Sequence, residues 1–179
     1  VMNLKTFYFN PYRECTYVLT DDTKHAVVID AGMYESREQE RFAEYIEKEQ
    51  LEVVALLITH AHPDHVCGLE FLEKNYDLKA IVQPTEGPLD IPFFNIQVIA
   101  TPGHKEDCVC YYLPEEKILF TGDTLFQESI GRTDLPGGDM GTLIHSLNKL
   151  VVLPDDTQVY PGHGYPTTIG HEKQYNPYI

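Results

Sequence analysis

Alternating apolar and polar stretches predict strands at the start of the chain. Runs rich in aromatic and β-branched side chains occupy residues 4–9, 17–20 and 26–29, and such side chains favour a pleated sheet. Asn10-Pro11 and Asp21-Asp22 separate these runs and have the composition of turns. The chain is therefore expected to begin with three short, consecutive strands.

The next region predicts a helix, a buried strand and a second helix. Ser36 followed by Gln39 forms a capping-box pattern, and apolar residues then recur on one helical face to about residue 50. The apolar run that follows predicts a strand ending at Thr59. Pro63 is expected to keep a helix from starting early, so that the second helix runs from residue 68 to about residue 75.

The second half of the chain repeats this order of elements. Strands are expected at residues 96–100, 109–113, 118–120 and 159–160. A helix is indicated at the helical spacing of Leu143, Ile144, Leu147 and Leu150. Two similar halves of strands and helices predict an α/β fold in packed layers, with residues 1–179 forming a single domain.

The densest group of polar side chains follows the strand that ends at Thr59. His60, His62, Asp64 and His65 come directly after a buried apolar run. Imidazole is the commonest protein ligand for zinc and related metals, and carboxylate adds a harder oxygen donor. Without a metal, each of these four polar groups beside the core would need a hydrogen-bond partner. This segment therefore indicates a metal site.

Three later strands also end in candidate metal ligands. His104, Asp123 and His163 each follow a predicted strand and lie beside a glycine, which permits a sharp turn that points the ligand into a cleft. One metal needs three or four ligands. The seven candidates therefore suffice for two metals that share a bridging carboxylate, an arrangement that generates a nucleophilic hydroxide. Cys67 is expected to be a small buried residue rather than a ligand.

The amino-acid composition limits which molecules the protein is expected to bind. The formal net charge of −15 argues against nucleic acid or an anionic membrane, whereas bound cations would make the site locally positive and compatible with a small anionic substrate. The four cysteines lack the spacing of a disulfide framework, and no apolar run is long enough to span a membrane. A cytoplasmic location is therefore expected. The oligomeric state is not indicated by the sequence.

The combined pattern resembles the metallo-β-lactamase fold superfamily across essentially the whole chain. It consists of the motif HxHxDH at residues 60–65, followed by the three glycine-flanked ligands. The resemblance implies a four-layer αββα sandwich with the site along one edge. It also implies a first metal on His60, His62 and His104, a second on Asp64, His65 and His163, and a bridge by Asp123. Asp30 matches an acid that supports the loop beneath the metals.

Residues 121–126 (TGDTLF) and 130–138 (IGRTDLPGG) narrow the resemblance to short, single-domain glyoxalase II-like, or hydroxyacylglutathione hydrolase-like, proteins. The helical carboxy-terminal domain of full-length glyoxalase II is not expected in this chain. Arg132 matches a basic residue that binds a glutathione carboxylate in that branch, but Asp134 stands where an aromatic residue is expected. Only residues 66–103 separate His65 from His104, which is shorter than is usual in the family.

The resemblance implies a dinuclear metallohydrolase that cleaves a thioester or similar small ester with a metal-bridged hydroxide. Asp64 and Asp123 would be the catalytic carboxylates, with Asp64 orienting the hydroxide. Arg132 would hold a substrate carboxylate, or would form a structural ion pair with Asp134 or Asp139. Zinc is the expected metal, with iron or manganese as alternatives.

Two other functions stay open. Persulfide dioxygenases share this branch and would use a single iron on His60, His104 and Asp123. A non-catalytic metal-binding module is the third hypothesis, although structural sites are closed and use four ligands, whereas seven candidates are present here.

Overall fold

The computed structural model describes residues 2–179 as two compact units. The first contains the residues up to Val82 together with Ile91–Phe93, and the second contains Gln83–Asp90 together with Phe94–Ile179. The helices are Ser36–Lys48 (α1), Pro63–Val66 (α2), Leu69–Tyr76 (α3), Met140–Leu150 (α4) and Ile169–Tyr175 (α5). None of the helices in this described part of the chain is long and apolar enough to cross a membrane. The expectation of a single domain stays a prediction.

The strands are numbered in chain order. They are Asn3–Phe9 (β1), Glu14–Thr20 (β2), His25–Ile29 (β3), Glu52–Ile58 (β4), Ile81–Val82 (β5), Gly87–Ile91 (β6), Phe94–Ala100 (β7), Val109–Leu113 (β8), Ile118–Gly122 (β9), Leu125–Phe126 (β10), Ser129–Ile130 (β11), Gln158–Pro161 (β12) and Thr167–Thr168 (β13). The eight predicted strands are present as β1–β4, β7–β9 and β12, whereas β5, β6, β10, β11 and β13 were not predicted.

The first unit is built on a five-stranded sheet with the order β1-β2-β3-β4-β5. β1, β2 and β3 are antiparallel neighbours, whereas β3, β4 and β5 run parallel. The β1–β2 turn contains Asn10 and Arg13, both at a φ of 54°. β4 is an interior strand and is buried along most of its length, which explains its continuous apolar sequence. The sheet thus carries the histidine cluster at the end of a buried strand.

Helix α1 connects the parallel strands β3 and β4. Phe42 and Ile46 are its buried residues, and they belong to the same core as Phe7 and Phe9 of β1. Burial of these side chains removes apolar surface from water and thereby fixes the helix to the sheet. The predicted helical face is confirmed.

The predicted capping box of α1 is wrong by one residue. Glu35, rather than Ser36, is the N-cap, and the Glu38 carboxylate accepts hydrogen bonds from the backbone nitrogens of Glu35 (3.3 Å) and Tyr34 (2.8 Å). Ser36 is therefore the first helical residue. Glutamate at the third helical position can reach back to the unpaired N–H groups in the same way as in a Ser-initiated box.

A short helix, α2, begins at Pro63, so the expectation that Pro63 would delay the helix is wrong. Proline is well suited to the first helical position, because its missing N–H has no partner there and its fixed φ is already helical. His62 is the N-cap and is extended, with a ψ of 147°. The backbone therefore changes from extended to helical within the histidine cluster itself.

The second unit is built on a six-stranded sheet with the order β13-β12-β9-β8-β7-β6. β7, β8 and β9 are antiparallel neighbours, and β12 runs parallel to β9 with α4 in the connection between them. Leu143, Leu147 and Leu150 of α4 are buried in one cluster with Leu119 and Val159 of these strands. The helix predicted from the spacing of these residues is confirmed.

Helix α5 was not predicted. Polar contacts of its residue Glu172 hold it in position. Glu172 is fully buried and accepts hydrogen bonds from the backbone of Glu128 (2.7 Å), the Asn176 amide (2.9 Å) and the Thr167 hydroxyl. A helix of seven residues is too short for a clear apolar period. Its buried carboxylate is stable because each contact supplies a donor.

We expect Leu147→Ala to lower the free energy of unfolding by about 2–5 kcal/mol, because the truncation leaves a cavity in a packed core. Leu147 is 2% exposed. The matched variant Val152→Ala changes a residue that is 79% exposed and is expected to stay within about 0.5 kcal/mol of the parent. Urea denaturation followed by far-ultraviolet circular dichroism measures both values. Equal stability of the two variants would contradict the assignment of this core.

Candidate metal centre

The first ligand group lies at the end of β4 and in the first turn of α2. The ring centroids of His60 and His62 are 4.9 Å apart, and those of His60 and His65 are 4.3 Å apart. His65 Nε2 lies 3.5 Å from a carboxylate oxygen of Asp64. An extended segment followed by a helical turn thus brings three imidazoles and one carboxylate close together.

Asp30 holds this group in place. Its Oδ1 accepts a hydrogen bond from the Thr59 backbone nitrogen (2.7 Å), and its Oδ2 accepts one from the Thr59 hydroxyl (2.8 Å). Oδ2 also lies 2.8 Å from His65 Nδ1. Because Nδ1 is engaged by a carboxylate, Nε2 is the nitrogen presented to a ligand, as is common for metal-binding histidines. These contacts match the expectation that Asp30 supports the loop.

Glu14 is a neighbour of this group that the sequence did not reveal. Its carboxyl is fully buried, lies 3.8 Å from His65 Nδ1 and accepts a hydrogen bond from the Thr16 hydroxyl (2.8 Å). Burial raises the pKa of Glu14 well above its usual range, and the charge of Asp30 acts in the same direction, although His65 lowers it. Glu14, Asp30 and His65 have donor atoms within 4.8 Å of one another. Since Asp30 already engages His65 Nδ1, we assign Glu14 a supporting role.

The second ligand group comes from three strand ends of the other unit. One carboxylate oxygen of Asp123 lies 3.5 Å from His104 Nε2 and 3.7 Å from His163 Nε2. His104 Nδ1 lies 2.8 Å from the backbone carbonyl oxygen of Arg132, which fixes the ring so that Nε2 faces Asp123. One oxygen of Asp123 therefore lies within 4 Å of two imidazole nitrogens.

Two glycines allow this close approach. A Cβ on Gly131 would lie 1.8 Å from the backbone oxygen of Asp123 and 3.2 Å from Cβ of His104. Gly103 has a φ of 142°, and a Cβ there would lie 2.3 Å from Cα of Leu143 in α4. Larger residues at either position would displace the turns that carry the ligands.

Arg132 pairs with Asp134. Its Nε and one terminal nitrogen each lie 2.7 Å from a different oxygen of Asp134, which is the bidentate geometry of a strong charge-assisted pair. Hydrogen bonding to this guanidinium lowers the pKa of Asp134 to about 2. Both side chains are exposed, so salt weakens the pair. The ion pair that was one of the two expectations for Arg132 is present, and carboxylate binding stays a prediction.

The donor chemistry of both groups fits divalent cations. Imidazole and carboxylate suit zinc, iron and manganese. His60, His65, His104 and Asp123 are buried, whereas His62, Asp64 and His163 are partly exposed. Partly exposed ligands suit a catalytic site, which keeps a position for water or substrate. Cys67 is exposed rather than buried as expected, and its sulfur lies 3.3 Å from the Gly32 carbonyl oxygen.

We expect Asp30→Asn to weaken zinc binding about 10–100-fold, the range found when groups that orient metal ligands are removed. An asparagine side chain has one oxygen, so it cannot accept from all three donors around Asp30. Competition with a chromophoric chelator measures the zinc affinity. Asp90→Asn changes an exposed aspartate and serves as the matched control. Zinc affinity equal to that of the parent in Asp30→Asn would exclude this supporting role.

Comparison with known proteins places the chain in a family. The sequence model described as the Metallo-beta-lactamase superfamily matches residues 12–98 and 89–163. Hydroxyacylglutathione hydrolase GloC of Haemophilus influenzae is 34% identical over 212 aligned positions, which cover 99% of this chain and 98% of that protein. The two segments matched by the family model overlap at residues 89–98, between His65 and His104.

Solved structures agree in fold. The BLEG-1 B3 metallo-beta-lactamase has a TM-score of 0.93 and 34% identity, with 98% of this chain and 99% of that chain covered. TTHA1623, solved in a di-iron-bound form, has a TM-score of 0.85 and 32% identity, with 98% of this chain and 100% of that chain covered. The expected mixed α/β fold of metallo-β-lactamase type is confirmed. The chain belongs to the metallo-β-lactamase superfamily, and its relatives include glyoxalase II-like hydrolases.

Proposed function

We propose that this protein is a metal-dependent hydrolase of glyoxalase II-like type that cleaves a thioester or a similar small ester. The observation that carries the proposal is the position of Asp123 between His104 Nε2 and His163 Nε2, at 3.5 and 3.7 Å. Such a carboxylate is suited to join two cations. The 34% identity to a hydroxyacylglutathione hydrolase along nearly the whole chain supports the substrate class.

We infer that the two ligand groups act together on two divalent cations. The sets follow the family resemblance, with His60, His62 and His104 on one cation, Asp64, His65 and His163 on the other, and Asp123 shared. Zinc is the metal we expect, and the di-iron form of the relative TTHA1623 supports iron as an alternative. Cations bound there would lower the pKa of a water molecule toward neutrality and polarise the scissile carbonyl.

The protein side chains supply orientation and charge. The side chain of Asp64 is 17% exposed, so its carboxylate can accept a hydrogen bond from the attacking water and orient it. The Nδ1 contacts of His65 with Asp30 and of His104 with the Arg132 carbonyl leave both Nε2 atoms available as ligands. Because protein groups hold both rings in place, little reorganisation is needed during the reaction.

The expected partner is a small molecule, either anionic or a thioester, rather than nucleic acid or a membrane. The net charge of −15 supports this expectation. The four cysteines form no disulfide among residues 2–179, which supports a reducing, cytoplasmic location.

Persulfide dioxygenase activity with a single iron is the second candidate. His60, His104 and Asp123 would hold that iron, and the iron bound in the relative TTHA1623 supports this alternative. Two turnover measurements separate the candidates: thiol release from S-lactoylglutathione, and oxygen consumption with glutathione persulfide. Both are made on purified protein whose metal content is measured by elemental analysis. Thiol release without oxygen consumption supports the hydrolase, and the reverse result excludes it.

We expect Asp123→Ala to abolish thioester hydrolysis and to lower metal content. Removing a shared ligand should weaken metal binding by more than the roughly 10–100-fold cost of losing a supporting residue. Asp156→Ala, at an exposed residue paired with Lys117, is the control and should retain full metal and activity. An Asp123→Ala protein that is both active and fully loaded would refute the two-metal assignment.

We expect Arg132→Ala to raise the KM for S-lactoylglutathione about tenfold, because a hydrogen bond to a charged group is worth about 1.5–3 kcal/mol. Hydrolysis of the uncharged S-lactoyl-N-acetylcysteamine should not change, and Asp134→Asn should lower the KM for the glutathione thioester by releasing the guanidinium. Initial rates over a range of substrate concentrations provide these values. Equal losses on both thioesters would instead indicate that Arg132 acts through the position of His104.

A further inference from the structure

A cavity of about 280 Å³ in the first unit lies beside Asp64. Three segments form its walls: the β1–β2 turn, the loop before α1, and the start of α2. The side chains that matter most for its chemistry are Pro11, Tyr12, Tyr34, Pro63, Asp64 and Cys67. Asp64 was predicted from the sequence as a metal ligand, whereas no binding role was predicted for Pro11, Tyr12, Tyr34 or Pro63. Their position next to a candidate catalytic carboxylate makes the cavity relevant to substrate binding.

Asn10 ties two of the walls together. Its side-chain amide nitrogen donates hydrogen bonds to the backbone oxygens of Asp64 (2.9 Å) and Gly32 (3.0 Å). Its side-chain oxygen accepts a hydrogen bond from the backbone nitrogen of Tyr12 (3.0 Å). One side chain therefore links the turn that carries Tyr12 to the ligand segment that carries Asp64.

Glu38 links the third wall of the cavity, the loop before α1, to the β1–β2 turn. Its carboxylate accepts hydrogen bonds from the backbone nitrogens of Asn10 (2.7 Å) and Tyr34 (2.8 Å). Glu38 is itself held in the first turn of α1. The three walls are thus joined by directed hydrogen bonds, so the cavity exists before a ligand arrives and binding requires little ordering of loops.

The lining favours a neutral, apolar group. Tyr12 is 73% exposed and Tyr34 is 63% exposed, so their rings present apolar surface to an incoming ligand. Two prolines add further apolar surface. No lysine or arginine is among the lining residues, all of which lie in the described part of the chain, so the lining offers no cationic side chain to an anionic group.

We propose that this cavity binds the acyl substituent of the substrate and selects neutral, apolar or aromatic acyl groups. The inference rests on the proposed hydrolase function, in which Asp64 orients attack on the acyl carbon. Because Asp64 also lines the cavity, a substituent on that carbon would have the cavity within reach. A volume of about 280 Å³ is below the usual range of about 300–1,000 Å³ for a drug-sized ligand, so it suits a ring-sized group.

The test compares two thioesters of the same uncharged thiol, S-phenylacetyl-N-acetylcysteamine and S-lactoyl-N-acetylcysteamine. The metal-loaded parent protein is expected to have the higher kcat/KM for the phenylacetyl thioester. Tyr12→Ala and Tyr34→Ala should each lower the ratio of the two kcat/KM values about tenfold, the size of effect that loss of an apolar contact has on discrimination. Their metal content should equal that of the parent.

Tyr175→Ala is the matched control, because Tyr175 is 55% exposed and lies outside the cavity lining. It should leave the ratio unchanged. A parent protein that prefers the lactoyl thioester would overturn the proposal. So would Tyr12→Ala and Tyr34→Ala proteins that keep the parent ratio at full metal content.

A second measurement separates failure of this inference from failure of the hydrolase proposal. If the metal-loaded parent hydrolyses neither these two thioesters nor S-lactoylglutathione, the hydrolase proposal fails, and the cavity is tested by binding of the unreactive neutral probe phenylacetamide. Saturation-transfer NMR should detect phenylacetamide on the parent and a loss of signal with Tyr12→Ala and Tyr34→Ala. No binding to the parent, or unchanged binding to both variants, would exclude an aromatic subsite.

Discussion

The hydrogen bonds accepted by Asp30 determine how the histidine cluster is arranged. This carboxylate is 2% exposed and is stable there because it accepts from the backbone and hydroxyl of Thr59 and engages His65 Nδ1. Its backbone φ of 65° is one that aspartate adopts more readily than most residues. The geometry of a motif that is contiguous in sequence thus depends on a residue from a different strand end. Without Asp30, this contact would not fix the orientation of the His65 ring, and therefore which of its two nitrogens faces a ligand.

The second unit also fixes the orientation of a histidine ring, but with a different partner. The backbone carbonyl of Arg132 fixes His104, and Gly131, which has no side chain, lets that segment lie against Asp123. The backbone carbonyl is present whatever side chain stands at position 132. Arg132 therefore has two separable tasks, because its carbonyl positions a ligand while its guanidinium pairs with Asp134. A residue at a position that binds substrate in related proteins can therefore matter for its backbone carbonyl, for its side chain, or for both.

The extent to which the sequence predicted the structure depends on how local each signal is. β4 and α4 were predicted because their apolar spacing follows from burial on one side or both. The HxHxDH segment was found because its ligands are contiguous. Asn10 and Glu14 were missed, since their roles arise from contacts with residues up to 54 positions away. The cap of α1 was misplaced for a related reason, because Glu38 also binds the backbone of Asn10.

Asn10 shows how one residue can connect metal chemistry to substrate selection. One end of its side chain holds the backbone of Asp64, and the other holds the turn that carries Tyr12. The ligand segment is also fixed by Asp30, through Thr59 and His65. Asp30 would still hold this segment if the side chains at positions 11, 12 and 34 changed. In the hydrolase that we propose, acyl specificity could therefore vary while the metal site is kept, which is how one scaffold serves many substrates.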